Sequence, residues 1–158
     1  MDCGNARVCG NQNVNIVEGI MINAMVFRTA QPNDMVRRTI STWLKRDVSF
    51  AGMYITAYLG EKIVATIGIQ CVTHYVHEVK HLYIVREYRG QGIGTKLLKD
   101  IRSVMLAPMY IATVRTENIA ARNLFAKCGW AIEGIKDSPY SQNRLCAMRI
   151  GGIIDVEA

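Results

Sequence analysis

A glycine-rich turn between a strand and a helix constrains the fold of this chain more than any other feature. A β-like run over residues 77–85 is followed, after a short link, by the sequence Arg89-Gly90-Gln91-Gly92-Ile93-Gly94-Thr95. Beyond it, apolar residues recur at intervals of three and four at Ile93, Leu97, Leu98, Ile101, Val104 and Met105. That stripe predicts a helix packed on a sheet. Glycines without Cβ atoms and a helix N-terminus together form an anion site.

Local patterns predict the other elements. Helices are expected at Pro32–Lys45 and Asn118–Cys128, with Pro32 and Asp34 as start signals and Gly129 as a stop. Extended segments are expected at Ala24–Arg28, Met53–Leu59, Lys62–Val72, His77–Val85, Met109–Val114, Trp130–Ile135 and Arg144–Ile150. Gly60-Glu61 predicts a hairpin turn between the second and third of them. The order predicts a mixed α/β sheet, with residues 1–22 as an N-terminal extension and 23–158 as a single domain.

Alternation along the strand at His77–Val85 predicts which side chains share a face. One face is expected to carry His77, Val79, His81, Tyr83 and Val85, and the other Glu78, Lys80, Leu82 and Ile84. His74, His77 and His81 lie close in sequence, but strong metal sites show a tighter ligand set. No metal is therefore expected.

Composition limits the class of protein. Among 158 residues, half are apolar and a fifth charged, and no run is long enough to span a bilayer. The N-terminus lacks the basic and apolar segments of a secretion signal, so a cytoplasmic location without a membrane partner is expected. Five cysteines without a C-x-x-C pair predict free thiols.

The net charge of +6 favours polyanionic partners. A phosphate-bearing cofactor accounts for part of this charge. Nucleic acid remains an alternative partner because four basic residues, Arg37, Arg38, Lys45 and Arg46, crowd the first predicted helix, although such a cluster is commonly a solvated helix face.

The spacing of the glycine turn separates three cofactor classes. A P-loop ends in Gly-Lys-Ser/Thr, whereas Gly94 is followed by Thr95 and then Lys96. A dinucleotide fingerprint starting at Gly90 would need glycine at Thr95, and the preceding strands form a meander. The third pattern, Gln/Arg-x-x-Gly-x-Gly/Ala, is matched by Arg89, Gly92 and Gly94.

With these residues the chain resembles the GNAT superfamily of acetyl-CoA-dependent N-acetyltransferases, over roughly Phe27 to Ile150. The segment Asn118 to Trp130 is similar to that family's Asn-x-x-Ala-x-x-Leu-Tyr-x-x-x-Gly-Phe signature. The resemblance implies a mostly antiparallel, twisted sheet whose fourth and fifth strands splay apart around the cofactor. It also implies acetyl-CoA as donor substrate.

The resemblance assigns cofactor-binding roles residue by residue. The pyrophosphate is expected on Arg89, Gly90, Gln91, Gly92, Ile93, Gly94 and Thr95. The pantetheine arm is expected along Leu82, Tyr83 and Ile84, with Asn118 and Phe125 beside it. The Leu82 N–H, seven residues before Arg89, is expected to polarise the thioester carbonyl. A helix N-cap is an equally good and compatible role for Asn118.

Acyl transfer to an amine requires removal of a proton from the acceptor. Glu78 lies eleven residues before Arg89, the spacing of the base glutamate in histone-type relatives, and is the first choice. A solvated strand glutamate is its ordinary alternative role, and His81 and His77 are alternative bases.

Two positions depart from the family pattern. Phe125 stands where the tyrosine that protonates the thiolate is usual, and Thr113 where ribosomal-protein-acetylating relatives carry a glutamate. Tyr83, Tyr140 or solvent would then supply the proton.

The expected function is direct transfer of an acetyl group from acetyl-CoA to a primary amine of a small molecule or protein. Two alternatives stay open. One is a CoA-binding module without catalysis, and the other is a basic nucleic-acid-directed protein or acyltransferase. A homodimer is also left open.

Overall fold

A computed structural model describes residues 24–31, 33–49 and 51–151. The expected extension, residues 1–22, lies outside these ranges. These ranges contain seven strands: β1 (Met25–Ala30), β2 (Met53–Leu59), β3 (Lys62–Thr73), β4 (Val76–Ile84), β5 (Met109–Arg115), β6 (Ala131–Asp137) and β7 (Arg144–Gly151). The helices are α1 (Asp34–Leu44), α2 (Ile93–Val104) and α3 (Ile119–Lys127), and a 3-10 turn covers Arg86–Tyr88. Within the described ranges, no helix has the length and apolarity to cross a membrane.

All the strands join one sheet in the order β1-β2-β3-β4-β5-β7-β6. Every neighbouring pair is antiparallel except β4 and β5, which are parallel and connected through α2. The predicted fold class, a mixed and mostly antiparallel sheet flanked by helices, is confirmed. The Gly60-Glu61 hairpin is confirmed as well, with Gly60 at a φ of 62°.

Helix α1 begins two residues later than predicted. The Asn33 side chain accepts a hydrogen bond from the Val36 N–H at 3.0 Å, which satisfies one of the free donors of the first turn. Lys45 ends the helix in a left-handed conformation, and its N–H bonds to carbonyls of the last turn. The proposed start residue, Pro32, is outside the described residues.

The sheet carries a core on each face. On one face, α2 packs on β2, β3 and β4 through Ile93, Leu97, Leu98 and Ile101, which are all buried. On the other, α1 buries Val36 and Ile40 in a smaller cluster with Tyr54. The two cores place the N-terminus of α2 and the C-terminus of α1 on opposite faces of the sheet.

The parallel pairing of β4 and β5 is short. It covers Val76↔Met109, His77↔Tyr110 and Glu78↔Ile111 and then stops. Beyond Glu78, β4 continues for six residues without a partner on this edge, and β5 pairs only with β7. The predicted splay of these two strands is therefore confirmed, and it opens a gap through the sheet.

A bulge in β4 changes the predicted faces of this strand. Lys80 lies opposite Gly68 and Tyr83 opposite Thr66, so two residues of β4, His81 and Leu82, face the single residue Ile67. His81 adopts a φ of 54° there.

The predicted alternation through His81 was wrong because the bulge inserts one residue. Leu82 and Ile84 pack against the α2-side core, as Val79 does. Tyr83 instead lies on the α1 side, where its ring stacks on Trp43. Glu78 consequently does not share a face with Leu82, and His81 does not share one with His77.

Gly68 allows a tyrosine ring to lie flat on β3. A Cβ atom at Gly68 would lie 2.7 Å from Cε1 of Tyr54 and 2.9 Å from Cβ of Ala51. Tyr54 is fully buried, and its hydroxyl accepts from the Ala51 N–H at 3.0 Å. Because Tyr54 is buried and its hydroxyl is hydrogen-bonded, moving the ring aside would cost free energy.

We predict that Gly68→Ala destabilises the protein by about 1–3 kcal/mol, the usual cost of overpacking a filled core. The free energy of unfolding from urea denaturation measures it. Gly134→Ala is the matched control, because a Cβ at this β6 glycine meets nothing within 4 Å. Equal stability of the two variants would contradict the proposed clash.

Candidate functional site

The gap between β4 and β5 forms the floor of a cleft of about 770 Å³. Residues 79–84 of β4 line one side and residues 112–115 of β5 the other. The start of α2 lines it on one face of the sheet, with α3 beside β5. Trp43, Leu44 and Arg46, at and beyond the end of α1, line it on the other face. A ligand in this cleft can therefore contact both sides of the sheet.

The glycine turn opens α2 as an anion site. Gly90 and Gly92 have positive φ values of 78° and 82°, and a Cβ at either would meet nothing within 4 Å. The first helical bond is donated by the Lys96 N–H to the Gly92 carbonyl at 3.0 Å. The preceding N–H groups of the first turn have no intrahelical partner. They are the donors that a pyrophosphate group requires.

Gly94 lines the cleft and also allows close packing. A Cβ there would lie 2.8 Å from Cδ2 of Leu124 and 3.1 Å from Cδ1 of Ile84. The residue is buried in the first turn of α2. Its small size lets α2 approach both α3 and the end of β4.

Arg89 joins the turn to β4. Its Nε donates to the Ile84 carbonyl at 2.8 Å, and its guanidinium carbon lies 5.5 Å from the centre of the Tyr83 ring. The Tyr83 ring also stacks on Trp43, with ring centres 4.8 Å apart. The stack links the end of α1 to the anion site.

The backbone of β4 offers donors to the gap. Val85 N–H donates to the Val64 carbonyl at 2.9 Å, so this N–H points toward β3. Because N–H directions alternate along a regularly paired strand, that of Ile84 points away from β3, toward the gap. The Ile84 carbonyl, which receives Arg89, points in the same direction.

His81 lies at the α1 side of the cleft. Its Nδ1 is 2.8 Å from the hydroxyl of Tyr54. Burial lowers the pKa of His81 to about 4, and the positive charges of Lys80 and Arg46 add to the decrease. Burial also raises the pKa of Tyr54. At neutral pH the imidazole is thus an uncharged group with a fixed orientation.

The α3 side of the cleft contains Asn118 and Phe125, the two positions of the GNAT-like signature that were expected beside the pantetheine arm. Asn118 caps α3 by accepting from the Ala121 N–H at 3.1 Å, which confirms the capping role, and it also lines the cleft. Phe125 lines it as well, and its buried ring packs edge-on against Trp130 with centres 4.9 Å apart. Exposed Thr113 lies on the β5 wall.

The remaining histidines have no place in the cleft. His77 is buried, its Nδ1 is 3.2 Å from the Met105 carbonyl, and its ring packs edge-on against Tyr110. His74 is exposed in the turn before β4. Among the described residues no three His, Cys, Asp or Glu side chains are grouped to hold a metal. Cys71, Cys128 and Cys146 are free thiols, while Cys3 and Cys9 lie outside the described ranges.

The structure brings most of the predicted cofactor residues to one cleft. Its lining includes Leu82, Tyr83, Ile84, Arg89, Gly90, Gly92, Ile93, Gly94, Thr95, Asn118 and Phe125. Gln91 and Glu78 are not among the lining residues, and neither is Tyr140, which is 95% exposed.

Further lining residues were not predicted from the sequence: Trp43, Leu44, Arg46, Lys80 and Tyr88. The α1 residues carry no local signal, because the sheet order brings them to the cleft. Lys80 lines the cleft next to the bulge of β4, and strand alternation did not predict that bulge.

This strand gap with a glycine turn at the start of α2 defines an acyltransferase of the GNAT type. Residues 23–130 match the Acetyltransferase (GNAT) family. The match covers more than half of the chain, which therefore belongs to this family.

Individual relatives are distant. The chain is 24% identical over 82 residues to streptothricin acetyltransferase of Escherichia coli, an alignment covering 50% of this chain and 47% of that protein. The chain thus aligns with about half the length of that curated relative.

Two solved structures share the fold. Ard1 from Thermoplasma volcanium superimposes with a TM-score of 0.70 at 17% identity, over 82% of this chain and 99% of that one. The protein yncA from Salmonella typhimurium, solved with its cofactor acetyl-CoA, gives 0.67 at 13% identity, over 85% and 97%. At these identities the likeness is one of fold.

We predict that His81 makes stability fall as the solution is acidified. The unfolded imidazole has a pKa of about 6.5, against about 4 in the folded protein. Between these values the unfolded chain binds a proton that the folded chain does not, so stability rises with pH across this window.

Urea midpoints measured from pH 4 to pH 7 test this expectation. His81→Asn should make the decline toward pH 4 shallower, since asparagine tolerates the left-handed backbone but does not titrate. The same substitution at exposed His74 is the control. An unchanged decline in His81→Asn would show that the burial of this imidazole does not contribute.

Proposed function

We propose that the chain transfers an acetyl group from acetyl-CoA directly to a primary amine. The observation that carries this proposal is the gap between β4 and β5 with the N-terminus of α2 at its end. The pyrophosphate would bind the turn at Gly90 and Gly92, and the pantetheine arm would lie along β4. The thioester carbonyl would accept from the N–H of Leu82, which lines the cleft at the bulge of β4 and would stabilise the oxyanion there.

Two groups compete for removal of the acceptor proton. Glu78 has the expected spacing but lies at the last paired position of β4 and does not line the cleft. His81 lines it and is uncharged at neutral pH. When Nδ1 carries the proton it donates to the Tyr54 oxygen, and Nε2 is left as the basic atom. Its position favours His81.

The departing thiolate has no tyrosine at the Phe125 position. Tyr83 lines the cleft, and its ring packs against Trp43 and the Arg89 guanidinium, which hold it at the wall. Tyr140 lies outside the lining. A thiolate with a pKa near 8.5 is a tolerable leaving group in water. We infer that solvent protonates it.

We predict that acetyl-CoA stabilises the protein by mass action. At a concentration of about 100 times Kd, the free energy of unfolding rises by about 2.7 kcal/mol, which a melting curve with added cofactor measures. Gly92→Glu should abolish the shift in melting temperature, because the new carboxylate would occupy the phosphate site and repel the phosphate.

Gly60→Glu is the matched control. It introduces the same charge at another positive-φ glycine with open space around it, in the β2–β3 turn away from the cleft. It should retain the full shift. Absence of a shift in the unaltered protein at millimolar acetyl-CoA would contradict the proposed donor.

We predict that His81→Asn lowers kcat by about 10²-fold or more, the usual contribution of a general base, with little change in acetyl-CoA affinity. Glu78→Gln should change kcat far less. Release of the CoA thiol measures the rates, and cofactor titration the affinity. The reverse order of effects would assign the base to Glu78.

A CoA-binding module without transfer activity is the second candidate, which Phe125 favours. It would show the cofactor-dependent melting shift without acetylation of any amine in a broad panel.

A further inference from the structure

The charged side chains lining the described part of the cleft are all cationic. They are Arg46, Lys80, Arg89, Arg115 and Lys127, beside the neutral His81. No aspartate or glutamate is among the described lining residues. Phosphate groups of a CoA donor would meet Arg89 in the glycine turn, and Arg115 and Lys127 lie beside the α3 end of the cleft. The donor therefore accounts for only part of this charge.

Arg46 and Lys80 form a separate cationic pair on the acceptor side. Arg46 follows the end of α1, and Lys80 shares the sheet face of Gly68 and Tyr54. The charges of both act on His81. This face is opposite the one that carries α2, so the pair stands where an acceptor would approach the acyl group through the gap.

Neither cation is neutralised by a carboxylate among the described residues. Nζ of Lys80 donates to the amide oxygen of Gln70 at 3.4 Å, a long contact with a neutral group. The ion pairs of the described residues involve Lys96, Arg144 and Arg149 instead. Glu78, two residues before Lys80, makes no ion pair with it and does not line the cleft. Two cations that lack a carboxylate partner among the described residues favour an anionic ligand group beside the reacting centre.

We propose that the acceptor is a primary amine carrying a carboxylate or phosphate group, which Arg46 and Lys80 bind while the amine faces His81. This inference rests on the proposed acetyl transfer. The same two charges would repel a polycationic acceptor, because like charges at short range are unfavourable at a partly buried site. Selectivity would then come from charge as well as shape. Trp43, stacked on Tyr83, forms the apolar wall beside the pair.

Matched amines test the proposal. β-Alanine and β-alaninamide differ in the carboxylate, O-phosphoethanolamine and ethanolamine differ in the phosphate, and spermidine supplies the polycation. We expect kcat/KM roughly tenfold to hundredfold higher for one or both anionic amines than for their neutral partners, the range of a charge-assisted contact. The better of the two pairs identifies which anion is preferred. Spermidine should be the poorest substrate.

Variants assign the preference to the two cations. Arg46→Gln and Lys80→Gln should each reduce the anionic-to-neutral ratio by roughly tenfold, mainly through KM, while rates with the neutral amines change little. Comparing ratios cancels any effect of the lost charge on His81. Lys99→Gln is the control, since this exposed α2 lysine carries the same charge but does not line the cleft.

The outcomes separate the two proposals. Acetylation of neutral amines or spermidine as efficiently as the anionic ones would overturn the acceptor class and leave acetyl transfer intact. A preference that survives both substitutions would overturn the role of Arg46 and Lys80. If no amine in the panel is acetylated although acetyl-CoA binds, the transfer proposal fails and the acceptor class fails with it.

Discussion

The early end of pairing between β4 and β5 is the constraint on which the site depends. A sheet normally satisfies backbone groups on both edges of an inner strand, and three residue pairs are all that these two share. The strand edge left open needs hydrogen-bond partners, and an extended ligand can supply them. Because α2 is the crossover between these parallel strands, its N-terminus lies at the open end of the same gap. One interruption of the sheet thereby places an anion site and a row of backbone donors in line.

The bulge in β4 lets neighbouring residues of the open strand face opposite sides of the sheet. It turns His81 to the α1 side while Leu82 stays with the α2-side core. Tyr54 holds His81 from β2, and the absence of a side chain at Gly68 gives that ring its place. The imidazole therefore faces the gap from the side of the sheet opposite α2. Under the proposed acetyl transfer, donor and acceptor would approach from opposite sides of the sheet and meet only at the gap.

The sequence predicted those parts of the fold that depend on local patterns. Helix and strand periodicity located the elements within a few residues, and the glycine turn located the start of α2 and one end of the cleft. The bulge could not be predicted, because His81 carries no glycine or proline signal and the extra residue depends on packing against β3 and Tyr54. Gly94 was assigned to phosphate approach, but its contact with Leu124 depends on where α3 lies. Trp43 and Arg46 were missed as cleft residues for the same reason: sheet order, not local sequence, brings them there.

The positions of the basic residues, like those of the cleft residues, depend on the fold and not on the local sequence. A net charge of +6 in the sequence is compatible with nucleic acid, a phosphate-bearing cofactor or a solvated surface. In the fold, Arg46 lies in the cleft, whereas Arg37 and Arg38 line a different surface depression with Asp34 and Asp47. Three of the four residues in the basic cluster are thus divided between two environments. Of this cluster, only Arg46 lines the cleft. Lys80 of β4 lines the cleft as well, and no helical pattern in the sequence could have predicted that the two residues lie close together.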